Sequence, residues 1–243
     1  MRTLVIGDIH GALKAVKQVF ERANIQPDDT LIFLGDYMDG WSDSYHTLTY
    51  LIELNQRQRC IFLRGNHDDL CCRWLQGETL TQEWVQHGGQ STMDAYQREG
   101  FKNREAHLKF LNRLDNFYID NQNRLFIHAG FQNIHGPLRE YQPLPFYWDR
   151  TLWEMALGLD KTLPKTHPHY PKRLLLFDEI YIGHTPVTRI DKQTPTQMAN
   201  VWNIDTGAAF KGPLTIMDID TKEYWQSDEA WKLYPGEAGR NSG

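Results

Sequence analysis

Short apolar runs, each stopped by glycine or a polar cluster, punctuate the chain. Thr3-Leu4-Val5-Ile6 stops at Gly7, Leu31-Ile32-Phe33-Leu34 at Gly35, and Cys60-Ile61-Phe62-Leu63 at Arg64-Gly65. Runs of this length and composition predict buried strands. Between the first two, Leu13, Val16, Val19 and Phe20 recur at helical spacing, and Leu48, Leu51 and Ile52 restart that period before the third. The alternation of strand, turn and helix predicts βα units in the first 70 residues. Asp69 to Tyr118 reads as mostly helical, marked by Trp74, Leu75, Trp84, Val85, Leu108, Leu111 and Leu114, with a break at His87-Gly88-Gly89. Part of this stretch is expected to wall a substrate cleft. Further strands are predicted at Arg124–Ile127, Glu179–Ile182 and Val201–Ile204. Leu214 to Ile219 alternates apolar and polar, as a half-exposed antiparallel strand does, with Glu223 to Gln226 as its hairpin partner. Between the strands, Phe131 to Phe177 holds many prolines and aromatics and reads as a long irregular loop, broken by a helical piece at Leu152–Leu157.

Composition narrows the class. In 243 residues there is no linker, repeat or low-complexity run, so one domain is expected over 1–234, followed by a disordered tail from 235 to 243. The net charge of −5 gives no support to a nucleic-acid partner. No apolar run is long enough to span a bilayer, and no signal-peptide core follows Met1-Arg2, so neither a membrane nor a secretory address is expected. Cys60, Cys71 and Cys72 are odd in number, and two are adjacent. A disulfide framework is therefore not expected, and a reducing cytoplasm is. The oligomeric state is not legible.

The chemistry sits where the apolar runs stop. Asp36 follows the second run after a single glycine, and a charge at the end of a buried strand is costly unless something pairs with it. The simplest partner is a metal ion, with Asp36 placed to bridge two of them. Asp8 and His10 follow the first run; in extended backbone they point the same way and aim at a common point. Asn66-His67-Asp68 follows the third run, His128-Ala129-Gly130 the next, and His184-Thr185-Pro186 the one after Glu179. Any one of these alone is as well read as a turn residue or a surface histidine. Their recurrence at strand ends, where ligands gather in α/β folds, points to one shared site. The basic Lys161–Arg173 segment is better read as a solvated loop.

The series GDIHG, GDYMDG, GNHD, HAG and GHTP, in this order from Gly7 to Pro186, resembles the calcineurin-like metallophosphoesterases. Within them it is similar to the phosphoprotein-phosphatase branch in its bacterial and phage form, as are Ile204-Asp205-Thr206-Gly207-Ala208 and Gly212-Pro213-Leu214-Thr215. The resemblance implies an α/β fold, a sandwich of two mixed β-sheets flanked by helices. It implies one metal held by Asp8, His10 and Asp36, and a second held by Asp36, Asn66, His128 and His184. Mixed oxygen and nitrogen donors suit manganese, iron or zinc, and the family implies manganese. His67 resembles the general acid, Asp39 the carboxylate that orients it, and Asn66 and Arg150 the phosphate-binding groups. Nuclease and phosphodiesterase relatives carry a second histidine where this chain has Pro186, which favours a phosphatase. One departure stands out: the family's phosphate-clamping arginine is replaced by Gly40, and the usual glycine after it by Trp41. Arg64, Arg189 or a lysine are candidates to refill that place.

The function expected from this is hydrolysis of phosphomonoesters, foremost phosphoserine and phosphothreonine in proteins. The resemblance implies direct attack by a water or hydroxide held between the two ions. Symmetrical cleavage of dinucleoside tetraphosphates is the second expectation, and a non-catalytic protein-binding scaffold the third. The expected partners are a phosphoprotein or a small phosphoester.

Overall fold

In a computed structural model describing residues 1–240, two five-stranded sheets lie face to face with helices on their outer sides. The first sheet has the order β10-β9-β1-β2-β3, built from β1 (Thr3–Ile6), β2 (Thr30–Phe33), β3 (Arg59–Phe62), β9 (Pro213–Asp218) and β10 (Tyr224–Glu229). Strands β1, β2 and β3 are parallel, and β9 runs antiparallel to β1. The second has the order β4-β5-β6-β8-β7, built from β4 (Phe117–Ile119), β5 (Arg124–Ile127), β6 (Glu179–Ile182), β7 (Thr196–Met198) and β8 (Val201–Asn203). Its β5, β6 and β8 are parallel, with antiparallel edges. Both sheets are mixed, as the resemblance implied.

The period of two within each strand builds the layers. Val5, Ile32, Phe126, Tyr181 and Met217 face the other sheet and form the central core. Leu4, Ile6, Leu31 and Phe33 face outward, under α1 (Leu13–Arg22) and α2 (Ser44–Leu54). Leu125, Ile127, Ile180 and Ile182 do the same in the second sheet. Strands buried on both faces read as continuous apolar runs, which is why these were legible. The central layer also fixes the strand ends that follow it. Phe126 and Tyr181 stack there with centroids 4.9 Å apart and planes 8° from parallel.

Three expectations need correction. The Leu214–Ile219 strand is not half-exposed: Thr215 and Asp218 are buried. Their polar atoms are satisfied internally. Thr215 Oγ1 lies 2.6 Å from Thr206 Oγ1, and Asp218 Oδ1 accepts the Asp220 and Thr221 amides. The Phe131–Phe177 segment is less irregular than read. It folds into α7 (Leu144–Trp148), α8 (Thr151–Leu157) and short 3₁₀ turns, and Phe146, Trp153, Tyr170 and Leu174 cover the second sheet. The helical piece expected at Leu152–Leu157 is α8, whereas α7 is too short to show a period and is held by packing. Residues 235–240 of the expected disordered tail are packed: the Ser42 amide and hydroxyl donate to Glu237, and the Arg240 amide donates to Ala209 O. Residues 241–243 lie outside the described ones.

The helical stretch comprises α3 (Asn66–Leu75), α4 (Gln82–Trp84), α5 (Gln90–Arg98) and α6 (Arg104–Leu111). A wide turn over Val85–Gly89 joins α4 to α5 and kinks at His87 and Gly88. The last helix, α9, is Ala230–Leu233. The three cysteines are unpaired, and among the described residues no helix is long and apolar enough to cross a membrane.

Phe126→Ala would open a cavity between the sheets, directly before His128. It is expected to cost about 3–5 kcal/mol, the range for buried aromatic truncations. Urea unfolding monitored by tryptophan fluorescence measures it; a loss below about 1 kcal/mol would mean the sheets do not share a close-packed core.

Candidate metal centre

The loops after β1, β2, β3, β5 and β6 meet at one edge of the two sheets and bring Asp8, His10, Asp36, Asn66, His128 and His184 together. Asp36 is at the middle. Its Oδ1 accepts the His67 amide at 3.0 Å, and its Oδ2 lies 3.4 Å from His10 Nε2 and 3.5 Å from His128 Nε2. One oxygen therefore anchors the residue while the other faces both imidazoles. His10, Asp36 and His67 offer donor atoms within 4.8 Å of one another, and so do Asp36, His128 and His184. Asn66 Oδ1 joins the second group, 3.2 Å from His128 Nε2 and 3.0 Å from His184 Nδ1.

Asp8 and His10 do converge, with His10 Nε2 4.0 Å from Asp8 Oδ2, but not by strand alternation. His10 has φ +51°, so the backbone has already left the extended region. Asp36, Asp39 and His184 share this left-handed conformation, with φ +53°, +66° and +68°. Asp and His tolerate it better than most residues, yet each instance costs on the order of 1–3 kcal/mol. Tertiary hydrogen bonds hold these turns. The amides of Ile9 and His10 donate to Asp36 O, and those of Asp36, Tyr37 and Gly65 converge on the Asp68 carboxylate at 2.7–2.8 Å. Asp68 thus ties the loop after β2 to the loop after β3.

The donor set fits a pair of divalent cations. His10 Nδ1 contacts the carbonyls of Met38 and Asp39, and His128 Nδ1 that of Leu34 at 2.8 Å. Each ring therefore carries its proton on Nδ1 and turns a free Nε2 lone pair to the centre, as metal-ligating histidines do. Among the described residues, buried Asp8 Oδ1 has no hydrogen-bond partner, an unsatisfied acceptor of the kind a cation would complete. Gly183 makes room for it: a Cβ there would stand 2.0 Å from Asp8 Oδ1.

Electrostatics agree. Burial pushes the Asp8 carboxyl well up, reinforced by neighbouring Asp205. Burial would raise Asp36 too, but the His128, His67 and His10 rings hold it well below the usual carboxylate range. Burial drives His10 and His184 well down, so both stay neutral and able to ligate. His128 is the exception: burial lowers it, but Asp36 and Asp8 carry it up to about 10. Burial and the Asp36 charge push Asp68 up to about 7. A buried cluster of carboxylates that must borrow protons from one another is one that cations would relieve.

Beside the centre, His67 Nδ1 contacts Asp39 Oδ2 at 2.8 Å. Asp39 is fully buried and held from the helical stretch: Trp84 Nε1 donates to its Oδ2 and Thr92 Oγ1 to its Oδ1, both at 2.6 Å. These partners escaped the sequence reading, as did Asp68. A tryptophan and a threonine on helices carry no local sign of such a role. The cleft over the centre is about 730 Å³ and is lined by Asn66, His67, Trp84, Arg150, Arg189 and Arg240, among others. Arg150 follows Asp149, whose Oδ2 accepts the Leu152 amide and so fixes the turn between α7 and α8. Its Nε lies 3.4 Å from His184 Nε2. Burial, then the charges of Arg189 and Arg240, lower its pKa. Arg64 is turned away, toward Asp69 and Leu111 O.

Asp36→Asn removes half the charge that two ions would share. It is expected to abolish metal retention by the purified protein, measured by elemental analysis, while the wild type holds about two equivalents. Full retention by the variant would contradict the shared-ligand geometry.

A family model for calcineurin-like phosphoesterases matches residues 1–209. The bis(5'-nucleosyl)-tetraphosphatase PrpE [asymmetrical] of Anoxybacillus flavithermus is 27% identical over 229 residues, covering 88% of each chain. Among solved structures, a protein serine/threonine phosphatase from Saccharomyces cerevisiae superposes with a TM-score of 0.63 at 14% identity, covering 94% of this chain and 81% of that one. A metallophosphoesterase from Sphaerobacter thermophilus gives 0.54 at 17% identity, covering 96% and 94%. The strand-end loops, the paired donor groups and the match over most of the chain agree: this protein belongs to the calcineurin-like metallophosphoesterases, hydrolases with a dinuclear metal site.

Proposed function

We propose that this enzyme hydrolyses dinucleoside tetraphosphates, cleaving asymmetrically, with manganese as the working metal. The observation that carries this is the cationic cleft. Arg150, Arg189 and Arg240 line one space beside the donor groups, and among the described residues none of them is held in an ion pair. A single phosphoryl group needs fewer guanidinium groups than that, whereas a chain of four phosphates presents charge along its length. Trp148 is 42% exposed at the rim and offers a surface on which a base can stack. The activity named for the PrpE relative supports this substrate class and asymmetric cleavage, where the sequence placed phosphoprotein hydrolysis first and the symmetrical reaction second.

Asp8, His10, Asp36, Asn66, His128 and His184 would hold two ions, which would supply Lewis-acid polarisation of the phosphoryl group. The chain's own residues do the rest. The arginines bind and orient the phosphates. With its Nδ1–H donating to Asp39 Oδ2 at 2.8 Å, His67 turns Nε2 toward the cleft, where the imidazolium form can pass the Nε2 proton to a leaving oxygen. Asp39 fixes the ring's orientation for that transfer.

That dyad also supports a second reading, a phosphoserine or phosphothreonine phosphatase. A serine alkoxide is a poor leaving group and gains more from a positioned acid than a nucleotide phosphate does.

The direct comparison is turnover of diadenosine tetraphosphate, a phosphopeptide and p-nitrophenyl phosphate by the manganese-loaded enzyme. ATP and AMP, formed faster than phosphate from the peptide, are the expected products. Two ADP would overturn the cleavage position, and faster peptide turnover would overturn the substrate. For the acid, His67→Ala is expected to retain metal and lose roughly 10²–10⁴-fold on the phosphopeptide, but much less on p-nitrophenyl phosphate. Equal losses on both would remove the acid role.

A further inference from the structure

We propose that Arg240, in the segment after α9, is the second phosphoryl clamp of this site and replaces the arginine absent at Gly40. This rests on the phosphoesterase chemistry of the centre and is common to both substrate readings.

The first argument is spatial. Gly40 has φ +148°, and a Cβ built there would stand 2.9 Å from His10 O and 3.7 Å from Arg240 Cγ. A Cβ at Gly88, φ +108°, would stand 3.2 Å from the same Cγ. The Arg240 stem therefore runs between two glycines, one after Asp39 and one at the kink before α5. A side chain at position 40 would start out into the space that Arg240 fills from the other end of the chain.

The second argument is that the departure at Trp41 builds the seat. Trp41 is fully buried, and its Nε1 donates to Ala208 O at 2.7 Å. It stacks on Tyr234 with centroids 5.3 Å apart, and a Cβ at Gly239 would stand 2.7 Å from its Cζ2. Next to it, Ser42 donates from its amide and hydroxyl to Glu237 at 2.9 and 2.7 Å. The Arg240 amide then donates to Ala209 O at 2.8 Å, and the guanidinium carbon lies 5.3 Å from the Phe210 ring centroid. The indole that replaces a small residue is thus the platform on which the tail turns back to the cleft. The losses and gains at positions 40 and 41 are two halves of one rearrangement.

The third argument is unmet bonding. Among the described residues, buried Arg240 Nε has no hydrogen-bond partner, and its side chain lines the cleft with Asn66, His67 and Arg150. A buried donor left unpaired is costly, and a guanidinium fork matches two phosphoryl oxygens. A phosphoryl group over the centre is the anion in reach.

The test uses inorganic phosphate and p-nitrophenyl phosphate with the manganese-loaded full chain, so it does not depend on which larger substrate is right. Arg240→Ala is expected to weaken inorganic phosphate about tenfold or more, both as a competitive inhibitor and by calorimetric binding, and to raise KM, with metal content unchanged. Arg240→Lys should recover part of the loss. Glu237→Ala, which unlatches the tail while leaving Arg240 in place, should weaken phosphate in the same direction. Phosphate binding unchanged within about twofold in Arg240→Ala would overturn the proposal, as would a loss explained wholly by lost metal. Failure to cleave diadenosine tetraphosphate would overturn the substrate reading and leave this result standing.

Discussion

The structure depends on keeping the Asp36 carboxylate ionised while it is almost wholly buried at the floor of the cleft. Nearly everything around the site answers that demand. One oxygen is neutralised by a backbone amide, the other is shared between two imidazoles, and a further carboxylate, Asp68, draws three amides together so that the loop cannot relax. Such a group is tolerable only at the end of a strand. In the middle of β1 or β2 both faces are packed with apolar side chains, and a charge there would have no partner. At the carboxyl edge, several chain segments end together and can each contribute one polar atom. The two sheets thus hold strand ends in register so that short loops deliver fixed donors.

The same constraint explains the backbone. Four of the polar residues at these ends are left-handed, a conformation the local chain does not favour. The cost is offset by the contacts that the turned side chains make. Asp39 is the clearest case: buried completely, turned back by its own φ, it accepts from His67, Trp84 and Thr92 together. With both oxygens engaged by three donors it is held in one orientation, and His67 has one tautomer. The dyad is therefore a rigid object set beside the metal groups rather than a flexible one awaiting substrate.

The cleft above is assembled differently. Its cations come from three separate segments: the turn between α7 and α8, the 3₁₀ turn at Val187–Ile190, and the segment after α9. None belongs to a strand end. The metal-binding scaffold and the anion-binding rim are thus built from different segments, and they meet at Trp41. In place of a small residue it gives Tyr234 and Gly239 a surface to rest on, and the chain's last described residues reach the rim.

Much of this was legible in the residues themselves. Strands buried on both faces announce themselves as unbroken apolar runs, and a carboxylate or imidazole directly after such a run, repeated at strand after strand, points to a shared strand-end site. Asp8, His10, Asp36, Asn66, His128 and His184 stood out this way, whereas the missing cation at Gly40 was visible only through the family resemblance. Other features left no such mark. Thr215 and Asp218 looked solvent-facing because alternation reports polarity, not burial, and their hydrogen bonds come from elsewhere in the chain. The five-residue helix α7 has too few turns to show a period. Trp84, Thr92 and Arg240 reach the site by packing, from sequence positions with no relation to it. Local pattern determined which residues carry the chemistry; folding alone decided what surrounds them, because a hydrogen bond or a guanidinium acts through space and is blind to distance along the chain.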